Sequence, residues 1–297
     1  MSFNYTILLN SKITLAVYIL LSFSIVSLWF RRDKLILGSL FGIAVLMALY
    51  SHRLYWQGLL FIGVFGGVNY LAFNSTHKFI RILSSFFVLI GSIFLWFHWA
   101  PGFTNWQVAN SIQMSIDAVP FNMFLNFDKP LIGLFILAFS GIPLLRSWRA
   151  WRNMAKNALP AALIGSITIA GIACLAGYVQ YEPKMNTFFI LWALNNLLLV
   201  CVAEEVLFRG WIQGSLNVVL KRYPYGNYLA LIIASVLFGL MHSGGWIYVA
   251  LATFAGLFYG AVYQKTKSVE ASIITHFTLN ALHFIGFTYP ALASKAL

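Results

Sequence analysis

The sequence predicts an all-α fold, a polytopic transmembrane helical bundle of about ten spans. Composition and patterning carry that prediction. The chain is 61% hydrophobic and 9% charged, against roughly 25% charged in a soluble domain. Its apolar residues come in repeated continuous stretches approaching the ~20 residues that cross a bilayer. They do not alternate as the strands of a membrane β-barrel do.

Spans are expected near 13–30, 35–50, 54–73, 79–97, 130–145, 158–180, 186–208, 227–242, 246–263 and 270–288. The first run, Ile13 to Phe30, is long for a signal-peptide core and is followed by Arg31, Arg32 and Lys34, a stop-transfer arrangement. With the amino terminus outside, inside loops hold Arg31, Arg32, Lys34, Lys78, Arg81, Arg146, Arg149, Arg152, Lys156, Lys221, Arg222, Lys265 and Lys267. Outside segments hold Lys12, Arg53, Lys129, Lys184 and Lys295. This positive-inside bias supports the count and the orientation, and is compatible with a bacterial inner (plasma) membrane. The net charge of +12 arises from these scattered clusters. No basic patch with base-reading context accompanies them, so no nucleic-acid partner is expected. Cys174 and Cys201 lie in apolar segments and form no C-x-x-C pair. The stretch from Ala100 to Lys129 is the longest non-spanning segment and is expected to lie on the outer membrane surface.

The chain divides by where its intramembrane polarity lies. Residues 1–150 are expected to form an N-terminal accessory region of about five spans with little of it. Residues 157–290 hold nearly all the rest. There, Glu204 and Glu205 are adjacent within an apolar run, although the whole chain has just 7 acidic residues. An ionisable side chain in hydrocarbon marks a functional site by default. Glu205 and Arg209, four apart with the acid first, form a favourable helical pair and read as helix-locking support. Adjacent helical residues point about 100° apart, so Glu204 is left for another task. No second Arg or Lys is expected deep in the membrane to pair with it.

Arg209, Gln213, Asn217 and Lys221 continue one stripe, so the helix is expected to run on to the turn at Lys221–Gly226; an interfacial amphipathic helix is the alternative. Glu204 then lies 20 residues before Pro224 and His242 lies 18 after it, which levels the two across a helical hairpin. His276 and Asn280 share a helix face, and both can donate to a developing oxyanion. They could equally make a helix–helix contact. His276, however, lies only a few residues into its span, a mismatch in depth. Ala252, Gly256 and Gly260 form a small-residue packing face. His283 is a further polar candidate to support the site, and Asn195 and Asn196, on the Glu204 span, are candidates to face it, with helix packing the alternative.

These residues, Glu-Glu-x-x-x-Arg (204–209), Phe-x-x-x-His (238–242) and His-x-x-x-Asn (276–280), in that order across three spans, resemble the CAAX-protease and bacteriocin-processing family of intramembrane endopeptidases. The resemblance covers roughly residues 157–290, which it implies are the protease domain. It implies that Glu204 is the base activating water, that His242 helps hold the water, that His276 and Asn280 form the oxyanion hole, and that Glu205 and Arg209 give support. The implied partners are a membrane-anchored protein or peptide substrate and the lipid bilayer. Rival protease signatures are missing. There is no His-Glu-x-x-His, Met241 stands where a Gly-x-Ser-Gly motif needs glycine before Ser243, and the aspartates fall in or beside loops. No cofactor is expected; a zinc ion held by Glu204, His242 and His276 is the open alternative. An ion-coupled transporter, or a non-catalytic immunity or scaffold member of the same family, is the alternative to an enzyme.

Overall fold

The structure, a computed structural model, describes residues 11–30 and 34–295. The expected inside cations Arg31 and Arg32 lie outside the described residues. The described residues form a predominantly helical bundle: α1 (Lys12–Phe30), α2 (Lys34–Tyr50), α3 (Trp56–Asn74), α4 (Lys78–Trp96), α5 (Pro130–Phe139), α6 (Trp148–Leu175), α7 (Phe189–Leu220), α8 (Gly226–Leu240), α9 (Trp246–Thr266) and α10 (Val269–Gly286). Each expected span overlaps one of these helices, though α6 starts well before 158 and α7 runs well past 208. Six of them, α1, α3, α4, α6, α7 and α9, are long and apolar enough to cross a membrane.

The expected span 130–145 is cut short. Pro130 opens α5 at a position where a missing N–H costs nothing, but the helix holds only 10 residues. That is about 15 Å of rise, half of a ~30 Å hydrocarbon core. Pro143 explains the stop, because the residue before a proline is pushed out of the helical region; residues 141–146 form neither helix nor strand.

The segment after α4 also differs from the expected surface stretch. It folds into an antiparallel hairpin of β1 (Trp106–Ile112) and β2 (Phe121–Leu125). In β2, Phe121, Met123 and Leu125 point inward while Asn122 and Phe124 point out, the period-2 alternation of a half-buried strand. Trp106 stacks on Tyr18 of α1 at 6.1 Å, and Phe121 meets Tyr289, just beyond α10, edge-on at 5.2 Å. The hairpin thus ties the first helix to the last across one end of the bundle. One continuous hydrophobic cluster runs from Val17 to Phe284. Exposed apolar side chains such as Phe79, Ile164 and Leu229 face outward, as lipid-facing residues do.

α7 carries the Glu-Glu motif. It widens into π-helix over Asn195–Cys201 and again over Val206–Gln213, with one α-helical turn, Val202–Glu205, between. Such widenings recur at functional sites. The helix runs past the expected end at 208, as the polar stripe predicts, and residues 214–220 include no buried side chain. This projection resolves the mismatch in depth. A methyl added at Gly210 would lie 3.7 Å from Val269, so α10 starts beside the middle of α7. His276, two turns along α10, is then level with Glu205.

Glu270 locks the opposite end. It is buried, and its Oε1 accepts from the Trp29 indole at 3.0 Å and the Leu145 amide at 2.7 Å, while its Oε2 accepts from Ser268 Oγ at 2.6 Å. Glu270→Ala orphans these donors and is expected to destabilise the fold by about 1–3 kcal/mol, with Glu270→Gln milder, as read by unfolding in detergent.

Candidate active site

The single α-turn between the two π-helical stretches holds Glu204 and Glu205, both buried. The two carboxylates point to different partners, as adjacency on a helix requires. Glu204 Oε1 accepts from Lys129 Nζ at 2.7 Å. Its Oε2 is buried with no hydrogen-bond partner among the described residues. That oxygen lies 3.8 Å from His242 Nε2, too far for a direct hydrogen bond and a spacing at which a shared water is the natural question. His242 Nδ1 donates to the Phe238 carbonyl at 2.8 Å, since a carbonyl can only accept. The other ring nitrogen is thereby turned toward Glu204.

Glu205 is shared between two cations or donors. Its Oε2 accepts from Arg209 Nε at 3.1 Å, and its Oε1 accepts from His276 Nδ1 at 2.9 Å. Arg209 is fully buried, and its guanidinium lies over the Phe238 ring at 5.1 Å. A Cβ at Gly256 would come 3.2 Å from Arg209 Nη2, and one at Gly260 would come 3.5 Å from Nη1. The small-residue face on α9 thus does more than allow close helix packing: it leaves room for the guanidinium. Phe238 also stands edge-on to His276 at 5.7 Å, and Tyr259 stacks on His276 at 4.6 Å. The imidazole is clamped between rings and aimed by a carboxylate.

Asn280 is less free than its expected role asks. Its Nδ2 donates to Asn196 Oδ1 at 3.1 Å and approaches Cys201 Sγ at 3.9 Å. Cys201 Sγ in turn donates to Asn196 Oδ1 at 3.3 Å. Asn196 thus holds Asn280, one turn of α10 beyond His276. His283 lines the same cavity and donates from Nε2 to the Thr288 carbonyl at 3.2 Å.

Glu204, His242, His276 and Asn280 all line one cavity of about 590 Å³. Its remaining wall is largely apolar and aromatic, including Ile169 and Ala173 of α6 and Tyr248 and Leu251 of α9. Such a chamber suits an extended apolar segment against a few convergent polar groups. Among the described residues, no three His, Cys, Asp or Glu side chains converge as a metal-ligand set.

Two lining residues were missed in the sequence. Lys129, expected as an outside cation, immediately precedes α5 and reaches Glu204. It supplies the second cation that seemed missing from the spans. Trp96, at the end of α4, lies under it, with the ammonium 3.8 Å from the ring centroid. A lysine next to a short, proline-started apolar run was the available signal, but its distance of 75 residues from Glu204 hid the pairing. Arg209→Met strips Glu205 of a fully buried partner. It is expected to cost about 3–5 kcal/mol, seen as a lower unfolding temperature with wild-type membrane insertion.

Residues 186–282 match a family model described as type II CAAX prenyl endopeptidase, Rce1-like. The match covers about a third of the chain and includes Glu204, Glu205, Arg209, His242, His276 and Asn280. No curated protein and no solved structure matches the chain. Residues 186–282, which carry most of this site, are therefore similar to the Rce1-like CAAX endopeptidases, within a multi-pass integral membrane chain.

Proposed function

We propose that the protein is an intramembrane endopeptidase that hydrolyses a peptide bond of a membrane-anchored protein or peptide, using water activated by Glu204. The observation that carries this reading is the bare, buried Oε2 of Glu204, 3.8 Å from His242 Nε2 at the wall of a large cavity. A water hydrogen-bonded to both atoms gives up a proton to Glu204 as its oxygen attacks the scissile carbonyl. The carbonyl π-electrons move onto oxygen, and N–H groups of Asn280 and His276 stabilise that oxyanion. Collapse breaks the C–N bond, and Glu204 returns its proton to the leaving amine.

Each ring has a defined part in this scheme. His276 Nδ1–H is committed to Glu205, so donation to the oxyanion uses Nε2–H and therefore the imidazolium, which Glu205 neutralises. Asn280 exchanges its hydrogen bond with Asn196 for one to the oxyanion. Glu205 and Arg209 act as support rather than chemistry. Residues 157–290 are read as the protease domain and 1–150 as the accessory region, with Trp96 and Lys129 reaching from the second into the first. No step is routed through a metal. The basic inside loops are compatible with a bacterial inner membrane.

The substrate named in the family description supplies the first probe, a membrane-anchored peptide ending in a prenylated CAAX sequence. Matched peptides carrying another lipid or a transmembrane anchor test the wider class. Glu204→Gln is expected to lower cleavage by about 10²–10⁴-fold, the usual worth of a general base. Asn280→Ala is expected to lower kcat by about 10²–10³-fold. Activity of the wild type should be indifferent to a chelator. A folded Glu204→Gln protein that cleaves like wild type would sink the reading; loss of wild-type activity with chelator would replace it with a metalloenzyme.

A further inference from the structure

We propose that Lys129 is a positioning residue of the active site, the fixed counter-charge that holds Glu204 ionised and turns its second oxygen toward His242. This rests on the reading of Glu204 as the base. Lys129 lies outside the matched stretch 186–282, so nothing in the family motifs assigns it.

Geometry carries the inference. The ammonium binds Oε1 of Glu204 at 2.7 Å and, among the described residues, no other acidic side chain, leaving Oε2 alone to face His242 Nε2 at 3.8 Å. One oxygen is thus spent on the cation and the other is kept for the reacting water. The lysine is itself constrained. Its ammonium rests 3.8 Å from the Trp96 ring centroid, where the ring face attracts a cation. Trp96 in turn donates from its indole to the Met241 carbonyl at 3.0 Å and stands edge-on to His242 at 5.6 Å. One indole therefore fixes both the counter-charge and the water-holding histidine.

The backbone under Lys129 is pinned as well. Asp128, fully buried, accepts the Lys129 amide at 2.8 Å and the Asn105 side chain at 3.1 Å on Oδ1, while its Oδ2 meets His98 Nδ1 at 2.8 Å. The hairpin side of the molecule thereby sets where the ammonium enters the cavity. A flexible surface lysine would need none of this scaffolding. A carboxylate buried in an apolar chamber needs a matching charge to stay ionised, and among the described residues no other Lys or Arg pairs with Glu204.

The test uses the full chain in proteoliposomes, with a quenched-fluorescent peptide ending in a farnesylated CAAX sequence. Lys129→Met is expected to lower kcat about 10²-fold, the scale of a misplaced reacting group, with KM changed little. Lys129→Arg, which keeps the charge, is expected to recover most of kcat. A lysine that only braced the fold would not divide kcat from KM or be rescued by charge. Independently of any substrate, a thermal double-mutant cycle in detergent reads the pair. Lys129→Met alone should lower Tm by leaving Glu204 unpaired, and adding Glu204→Gln should recover it. Wild-type kcat in a folded Lys129→Met protein, or Tm effects of the two substitutions that simply add, would overturn the proposal. If Lys129→Met alone cannot be purified, recovery of a folded protein by adding Glu204→Gln supports the pairing, and failure to recover overturns it. Glu204→Gln with full activity would instead overturn the proposed function, and the thermal cycle would still decide whether Lys129 and Glu204 are paired.

Discussion

The structure is organised around the burial of two adjacent carboxylates. Glu204 and Glu205 sit side by side in an apolar bundle, where uncompensated charge is prohibitively costly. The charged side chains and imidazoles nearby answer that cost. Arg209 and His276 converge on Glu205, and Lys129 and His242 converge on Glu204. Because the two acids share one helical turn, satisfying them draws α4, α5, α8 and α10 around α7. The fold near the site is therefore a consequence of charge compensation as much as of hydrophobic packing.

That compensation is unequal, and in the proposed mechanism the inequality separates support from chemistry. Glu205 has both oxygens engaged, by a guanidinium and an imidazole. Glu204 has one engaged and one bare. A fully satisfied carboxylate is a poor base and a good anchor. A half-satisfied one at a cavity wall retains an acceptor for an incoming proton. The clamp of Tyr259 and Phe238 about His276 extends the same logic to orientation, since the ring's direction is fixed before any substrate arrives.

Much of this was legible in the sequence, and the failures have physical causes. Continuous apolar runs located the helices, because a bilayer imposes length and composition directly. The i, i+4 spacing gave Glu205 with Arg209, a local relation on one helix. The levelling of Glu204 with His242 followed from rise per residue across a hairpin. What was missed depends on contacts distant in sequence or on backbone detail. Lys129 reads as an ordinary flanking cation until tertiary packing carries it to Glu204. The hairpin was concealed because Trp106 and Phe121, which pack inward, are also the residues expected at a membrane interface. The depth of His276 turned on how far α7 projects past the bundle, which hydrophobicity alone does not set. Ten apolar stretches likewise yielded ten helices, yet Pro143 cut α5 to half the reach of a span.

The contribution of Lys129 and Trp96 from upstream of the family-matched stretch alters what counts as a unit in this molecule. The motif-bearing segment is not modular. Excised from its upstream partner, it would carry a buried anion with no cation to balance it and a chamber missing one wall. Evolutionary exchange of the first region among related chains would then be limited by electrostatic bookkeeping inside the second, so the two halves are expected to vary together rather than shuffle.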